Sequence, residues 1–421
     1  MSYNVVKLRD VAEFQKGFAF KSKDYSSEGI KIVKVSNLTN DSIDISQCVC
    51  IHKDIADKYK DKYNLRIDDI IITTVGSWPT NPASVVGKVV KVPKAANNTL
   101  LNQNAVRLRS NALIDQNYLY YLLKDKLFKK YIVGTAQGSA NQASITQEDI
   151  KNFEFILPPL NKQEKIANIL SSLDNKINLN NEMNNTLEEI GQGIFKRWFV
   201  DFEFPNEDGK PYKSSGGEMV ESELGMIPKG WEVNKLGYLV NLITKSEKPF
   251  NNENILYEHF SIPAFDNGKL PVFEYGKCIN SNKYIIDNDC ILMSKLNPNN
   301  KRIWNPYCTT DKSICSTEFM VYKAIDKDKK SFIYEVLNDE RFIEFLISNA
   351  TGSTGSRQRV KPKDTLNYII AVPNEENIKE FIKVLNPIQN RIQLNIQNVK
   401  ELYDLRDTLL PKLMSNQIRV K

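Results

Sequence analysis

Leu157-Pro158-Pro159-Leu160-Asn161-Lys162-Gln163-Glu164-Lys165-Ile166-Ala167-Asn168-Ile169-Leu170 is answered 215 residues later by Val372-Pro373-Asn374-Glu375-Glu376-Asn377-Ile378-Lys379-Glu380-Phe381-Ile382-Lys383-Val384-Leu385. The match runs without a gap through roughly forty positions, and its shift is half the chain. Two copies in one chain amount to a dimer fused head to tail, with a pseudo-twofold axis and two similar surfaces.

The repeat continues upstream. Leu119, Tyr120, Leu122, Leu123, Asp125, Phe128 and Tyr131 match Ile333, Tyr334, Val336, Leu337, Asp339, Phe342 and Phe345, with apolar residues at helical spacing in both copies. Each match leads to a glycine-rich loop, 134–142 and 352–356, then to Ile145 with Asp149 or Val360 with Asp364. Asp69-Ile70-Ile71-Ile72 and Asp289-Cys290-Ile291-Leu292 both read as an acidic residue leading into a buried strand. Near the front, Lys7-Leu8 matches Lys235-Leu236, with a shift that drifts, so the copies diverge most in their first hundred positions.

A chain of 421 residues can bury two or three cores. A net charge of +6 permits a polyanionic partner without demanding one, so the placement of cations matters more than their sum. Cys48, Cys50, Cys278, Cys290, Cys308 and Cys315 form no Cys-x-x-Cys, and only His52 and His259 accompany them. Free thiols in a reducing compartment fit better than zinc. With no apolar leader and no run near the roughly 18 residues needed to span a bilayer, the expected location is the cytoplasm.

Between residues 161 and 198 there is no proline, and Ile166, Leu170, Leu173, Ile177, Leu187, Ile194 and Trp198 recur in steps of four and three. Joined through Asn180, Asn184 and Gly191, they make a heptad seam, a rod of roughly 55 Å. The second copy repeats it with Phe381, Leu385, Ile388, Ile392, Asn395, Val399, Leu402, Leu409 and Leu413. Pro387 and Pro411 fall inside that second seam, so its helix is expected to kink or start late near the first and to end near the second. Asn180 and Asn395 occupy the same seam position, where a buried amide fixes register if it can bond its counterpart. Each helix could simply dock on its own domain. A narrow seam sustained over several heptads instead suggests that the helices pair with each other, antiparallel as a twofold would place them.

Between the repeats, Ser222-Glu223-Leu224-Gly225-Met226-Ile227-Pro228-Lys229-Gly230-Trp231-Glu232 closely resembles the lead-in to the second target recognition domain of type I restriction-modification specificity (S) subunits. Lys196-Arg197-Trp198-Phe199-Val200-Asp201-Phe202 resembles that family's exit from its central helix. Leu157-Pro158-Pro159-Leu160 with Gln163-Glu164-Lys165-Ile166 is similar to the start of that helix, and Ser316-Thr317-Glu318-Phe319, after Ser294-Lys295-Leu296-Asn297-Pro298, to a segment of its recognition domains. The second copy departs with Pro373-Asn374 and Ile378-Lys379, and the first has Asn102-Gln103-Asn104-Ala105 where Ser-Thr-Glu-Phe would stand.

The resemblance covers the whole chain. It implies an α/β (α+β) fold of two pseudo-twofold-related recognition domains and two long helices in an antiparallel coiled coil. The expected divisions are a first recognition domain over 1–157, a central helix over 158–200, a linker over 201–230, a second recognition domain over 231–372 and a final helix over 373–421. It further implies that modification subunits bind one per half and carry the S-adenosylmethionine chemistry on adenine, and that a motor and nuclease subunit joins for restriction. The chain itself would bind double-stranded DNA, hold no cofactor or metal, and choose where its partners act.

A reader of base sequence needs donors and acceptors at base edges, with cations beside them for phosphates. Gln137-Gly138-Ser139-Ala140-Asn141-Gln142 offers three amides and a hydroxyl, and Asn and Gln suit adenine. Its counterpart, Ser353-Thr354-Gly355-Ser356-Arg357-Gln358-Arg359, adds two guanidinium forks. Either stretch could equally be a solvated turn. If the chain after Ser356 is extended, Arg357, Arg359, Lys361 and Lys363 project from one face as a phosphate track, or as lysines guarding a strand edge. After the acidic-apolar strands come Gly76, Ser77, Trp78 and Asn81 in one copy and Lys295, Asn297, Asn300, Lys301, Arg302 and Trp304 in the other. Trp78 could stack on a base or anchor its own loop. Lys16, Lys21, Lys23, Lys245 and Lys248 suit the DNA backbone.

Catalytic motifs are missing. There is no Gly-x-x-x-x-Gly-Lys-Ser/Thr phosphate loop, no Asn or Asp before Pro-Pro-aromatic, and no Glu-x-Lys, and two histidines supply a triad poorly. The sequence therefore reads as a non-catalytic specificity subunit. Its target would be asymmetric and bipartite, and its partners would methylate adenine and cleave DNA. The alternative is a coiled-coil interaction scaffold that does not bind DNA.

Overall fold

The computed structural model describes residues 4–39, 41–78, 86–139, 142–352 and 358–420. The chain divides into two compact units, one of Met1–Ile177 with Glu401–Lys421 and one of Asn178–Lys400.

The first unit is built on a four-stranded antiparallel sheet in the order Ala12–Lys16, Ala105–Ser110, Ile70–Thr73, Val89–Lys91. Ile70–Thr73 is buried along its whole length, as an uninterrupted apolar run between two strands requires. Helices Gln116–Lys124 and Lys126–Thr135 supply Tyr118, Leu119, Phe128 and Ile132 to the core on that sheet. Their boundary is written in one residue. The Asp125 carboxylate accepts the Leu127 N–H at 2.8 Å, capping the second helix where the first ends. A separate four-stranded sheet, Tyr25–Ser26, Val49–Ile51, Ile30–Val33, Leu100–Leu101, contains one parallel pairing, Ile32 with Leu100.

The second unit repeats the plan. Val240–Leu242, Phe319–Ala324, Cys290–Ser294 and Ile303–Trp304 form the equivalent antiparallel sheet in the same order. Asp339 caps Glu340–Ser348 as Asp125 caps its counterpart, accepting the Arg341 N–H at 3.1 Å. The second sheet of this unit has five strands, Ser246–Glu247, Lys283–Ile285, Ser313–Ser316, Leu256–Phe260 and Val272–Tyr275. Trp231 closes the core, its ring 5.3 Å from Phe204 and 5.7 Å from Phe199, and its indole N–H donates to Asn377 Oδ1 at 3.1 Å. All six cysteines are free.

Helices Leu160–Phe199 and Glu375–Met414 are 40 residues each, about 60 Å long. Within the first unit they run antiparallel: Lys162 meets Asn416, Ile166 and Leu170 share a core with Leu410 and Leu413, and Asp174 meets Arg406. Within the second unit Asn184 meets Asn395, and Phe195 and Trp198 lie 6.1 and 5.7 Å from Phe381. The same residues that face the opposite helix also enter the domain core, as Phe381 does beside Phe332 at 6.3 Å. Of the seam, Ile166, Leu170, Ile177, Asn180, Phe381, Leu385, Asn395 and Val399 are buried, and Leu173, Leu187, Ile388, Ile392 and Leu402 are half-buried.

Two expectations fail here. The second long helix neither breaks nor starts late at Pro387, although it does end near Pro411 as expected, at Met414. A proline frees the carbonyl four residues back, and those carbonyls belong to Lys383 and Asp407, both on exposed positions where water can reach them. Nor does Asn395 bond Asn180. Its Nδ2 donates to Asn184 Oδ1 at 2.8 Å, one turn along, while Asn180 Nδ2 and Asn395 Oδ1 are buried without a partner among the described residues.

Under the shift that relates the copies, Tyr121, Asp174 and Arg406 correspond to Glu335, Gln389 and Gly191. In the first unit they form a half-buried network: Arg406 Nη1 donates to Asp174 at 2.9 Å and Asp41 at 3.3 Å, Tyr121 Oη donates to Asp174 at 2.5 Å, and Lys124 pairs with Asp41. Burial raises the Asp41 pKa, but Lys124 and Arg406 outweigh it and the net shift is downward. In the second unit no arginine is present at this place. Glu335 lies 3% exposed against Gly191, and burial pushes its carboxyl pKa up to about 8.

Two measurements follow. Asn395→Leu strands the Asn184 amide and should cost about 1–3 kcal/mol in urea unfolding, whereas Asn184→Leu with Asn395→Leu should recover most of it. Because Glu335 holds its proton in the folded state above its unfolded pKa, its contribution is complete at acid pH and is lost as pH rises toward about 8. The melting-temperature advantage of Glu335→Gln over the native chain should therefore grow from pH 5 to pH 8.

Candidate nucleic-acid interface

Strand direction decides which loops meet. In the first unit Ala12–Lys16 and Ile70–Thr73 end, and Ala105–Ser110 begins, at one end of the sheet. Lys16, residues 74–78 and Asn104 therefore share that end. In the second unit Val240–Leu242 and Cys290–Ser294 end where Phe319–Ala324 begins, so Lys245, residues 295–297 and Glu318 share it.

The same backbone bonds tie both clusters. Thr74 N–H donates to Asn104 O at 2.9 Å and Ile145 N–H to Thr74 O at 2.9 Å. In the other copy Lys295 N–H donates to Glu318 O at 3.0 Å and Val360 N–H to Lys295 O at 3.0 Å. The strand-end loop, the residue before the sheet's central strand and the returning glycine-rich segment thus converge twice. Asn104 and Glu318 entered the sequence reading only as members of the matched Asn102-Gln103-Asn104-Ala105 and Ser316-Thr317-Glu318-Phe319 stretches, not as candidate contacts, although each stands immediately before a matched strand start.

In the first unit the glycine-rich stretch is a hairpin rather than a loop: Gln137–Ser139 pairs with Gln142–Ser144, which pairs with Val75–Gly76. Gln137, Gly138, Ser139 and Gln142 are exposed. Gly138, at φ +154°, has no room for a Cβ, which would stand 2.0 Å from Gln142 O. Trp78 is an anchor here. Its ring packs against the core and its indole N–H donates to Ser139 O at 2.7 Å; Ser77 is buried. Asn81 and Asn141 lie outside the described residues.

In the second unit Asn297 sits at φ +49°, its N–H donating to Gln358 O at 2.9 Å, and Leu296 pairs with Arg359. Arg359 donates to Glu318 at 3.1 Å and remains largely exposed. Asn297 Oδ1 and Glu318 Oε2 are buried acceptors without a partner among the described residues, so this tip has unmet demand for donors. Lys361 is exposed. Ser353, Thr354, Ser356 and Arg357 lie outside the described residues.

Several sequence expectations need correction. Trp304 is 3% exposed, paired through Leu292 and packed 4.8 Å from Phe260; it is core. Arg302 is turned to Asp266, donating at 2.6 and 3.0 Å, and the Lys301 ammonium donates to Asn338 O at 2.6 Å. No extended run continues to Lys363, which lies in the helical turn Pro362–Thr365 started by Pro362. Lys21, Lys23 and Lys248 are exposed, on or beside short turns.

No cluster of three or more metal-ligating side chains occurs among the described residues, and no helix there is long and apolar enough to cross a membrane. What both sheet ends can do chemically is present amides, hydroxyls and cations on rigid backbone. Trp78→Phe removes the bond to Ser139 O and should speed amide exchange in residues 137–144, with little change in global melting temperature.

A family model for the type I restriction modification DNA specificity domain matches residues 2–189. The chain is 26% identical over 440 residues to the type I restriction enzyme MjaIX specificity subunit of Methanocaldococcus jannaschii, covering all of this chain and 94% of that one. It is 24% identical over 408 residues to the HindI specificity subunit of Haemophilus influenzae, covering 79% and 84%. The fold resembles the crystal structure of a type I restriction-modification S subunit from M. genitalium, at a TM-score of 0.52 and 15% identity over 98% and 96% of the two chains.

Proposed function

We propose that the chain acts as a specificity subunit of a type I restriction-modification system, a non-catalytic component, and that each unit reads one half of an asymmetric, bipartite DNA target; the match to the specificity-domain family model and the similarity to specificity subunits along the whole chain support this. The observation that supports this best is the same loop convergence, held by the same backbone bonds, at one sheet end of each unit, carrying different side chains. One end offers Gln137, Ser139 and Gln142, with Lys16 beside them for phosphates. The other offers Lys295, Asn297, Gln358 and Arg359, with Lys245 and Lys361 beside them. Different side chains on one scaffold predict unlike half-targets and a non-palindromic site.

In this reading the helices set the spacing. What supports this is that both are continuous 40-residue elements. Two readers on one face of a duplex favour half-target centres roughly 10 to 10.5 bp apart. The recognition domains are residues 1–157 and 231–372, with the helices over 158–200 and 373–421 and a linker over 201–230. Two modification subunits, one per half, would methylate adenine at the site this chain selects, and motor and nuclease subunits would cleave. The assembly would act in the cytoplasm.

Binding of the assembled complex to its duplex should weaken steeply with salt, with several phosphates contributing to the slope. A flat salt response would leave the scaffold reading. Inserting one heptad into both helices should lengthen the unread spacer in the methylome and leave both half-sequences unchanged. Altered half-sequences with a constant spacer would refute the ruler.

A further inference from the structure

The two units differ most beyond the parallel strand of their second sheets. In the first unit the described sheet stops at Leu100–Leu101, met beyond that by isolated bridges alone, Asn64 with Leu100 and Phe18 with Asn102. In the second unit two further strands follow the equivalent Ser313–Ser316, namely Lys283–Ile285 and Ser246–Glu247. The turns flanking those added strands enclose a cleft of about 360 Å³, within the range of small-ligand pockets.

One wall carries Lys248, Phe250 and Asn251, and the other Asn280, Ser281 and Asn282. Phe250 is 51% exposed, yet its support is rigid. Pro249 beneath it is buried, and the turn Pro249–Asn252 lies so close to Gly276 that a Cβ there would stand 2.3 Å from both Pro249 O and Asn252 O. Opposite, the Ser281 hydroxyl is held by the Lys283 ammonium at 2.5 Å. The side-chain amides of Asn251, Asn280 and Asn282 are exposed and make no hydrogen bond within the described residues. A large aromatic face presented to solvent on a fixed turn, three unspent amides and a lysine are the groups that hold a nucleotide. The ring packs on a sugar or a thymine methyl, the amides meet base edges, and the ammonium meets phosphate.

We propose that this cleft is a nucleotide-binding subsite of the second unit, contacting one position of its half-target with a sugar or thymine methyl against Phe250. The inference rests on the DNA-reading role above and adds to it residues apart from the shared sheet-end loops. It also gives a use to strands that, among the described residues, occur in the second unit alone: a contact made by one half gives that half a base preference the other lacks.

The test uses the full chain assembled with its modification subunits, carrying Phe250→Ala, Asn282→Ala or Lys248→Ala. Because these side chains are exposed, melting temperatures should match the native complex. Phe250→Ala should weaken binding to the specific duplex by roughly tenfold or more at fixed salt, with binding to a non-specific duplex unchanged. Asn282→Ala should relax the methylome at one position in one half-sequence. Lys248→Ala should lower the salt slope by about one phosphate and leave the sequence unaltered. Native-like specific affinity and an unchanged methylome in Phe250→Ala and Asn282→Ala, while the native complex still selects its site, would overturn the subsite and leave the DNA-reading role standing. A native complex without salt-dependent, sequence-selective binding would overturn both.

Discussion

Antiparallel pairing of the two long helices is the constraint on which the rest depends, because each helix completes a core that its own repeat cannot close. In the first unit Leu410 and Leu413, from the end of the second helix, pack with Ile166 and Leu170 of the first and with the sheet. In the second unit Phe195 and Trp198 of the first helix meet Phe381 and Phe332. Apolar burial drives the pairing but tolerates sliding by a turn. Register is specified by polar pairs that slide only at the cost of stranded groups: Asn184 with Asn395, and Arg406 with Asp174 and Asp41.

The convergence of loops proposed to read DNA follows from strand direction rather than from any motif. An antiparallel sheet brings alternate strand ends together, and the short links from residues 74 to 104 and from 145 back to 74 lock the loops that leave them. The second unit repeats those links with other side chains, so recognition can change while the scaffold stays.

Much of this was legible in the sequence. The internal match located both long helices, and the runs at Ile70 and Cys290 located the central strands, because buried apolar periodicity survives divergence. Asp125 and Asp339 were visible as matched positions whose capping role appears only when the helix starts are seen. What stayed hidden was decided by local environment. A seam pattern says which face is apolar but not which amide stands opposite Asn395. Pro387 looked like a break because a proline's cost depends on whether the carbonyl it frees reaches water. Trp304, amid Asn, Pro and Lys, looked exposed, yet pairing with Leu292 places it inside. Of the candidate readers, Arg302 and Lys301 turned out to be engaged within the protein, a matter of partners distant in sequence such as Asp266 and Asn338.

Arg406 stands where the first copy has Gly191. The acids Asp41 and Asp174 belong to the first repeat, whereas the guanidinium that neutralises them comes from the second. A chain made by doubling the first repeat would set a glycine there and leave two half-buried carboxylates with Lys124 as their nearest remaining cation. At this place the two repeats are therefore not interchangeable: the second supplies the cation that the first one's acids require.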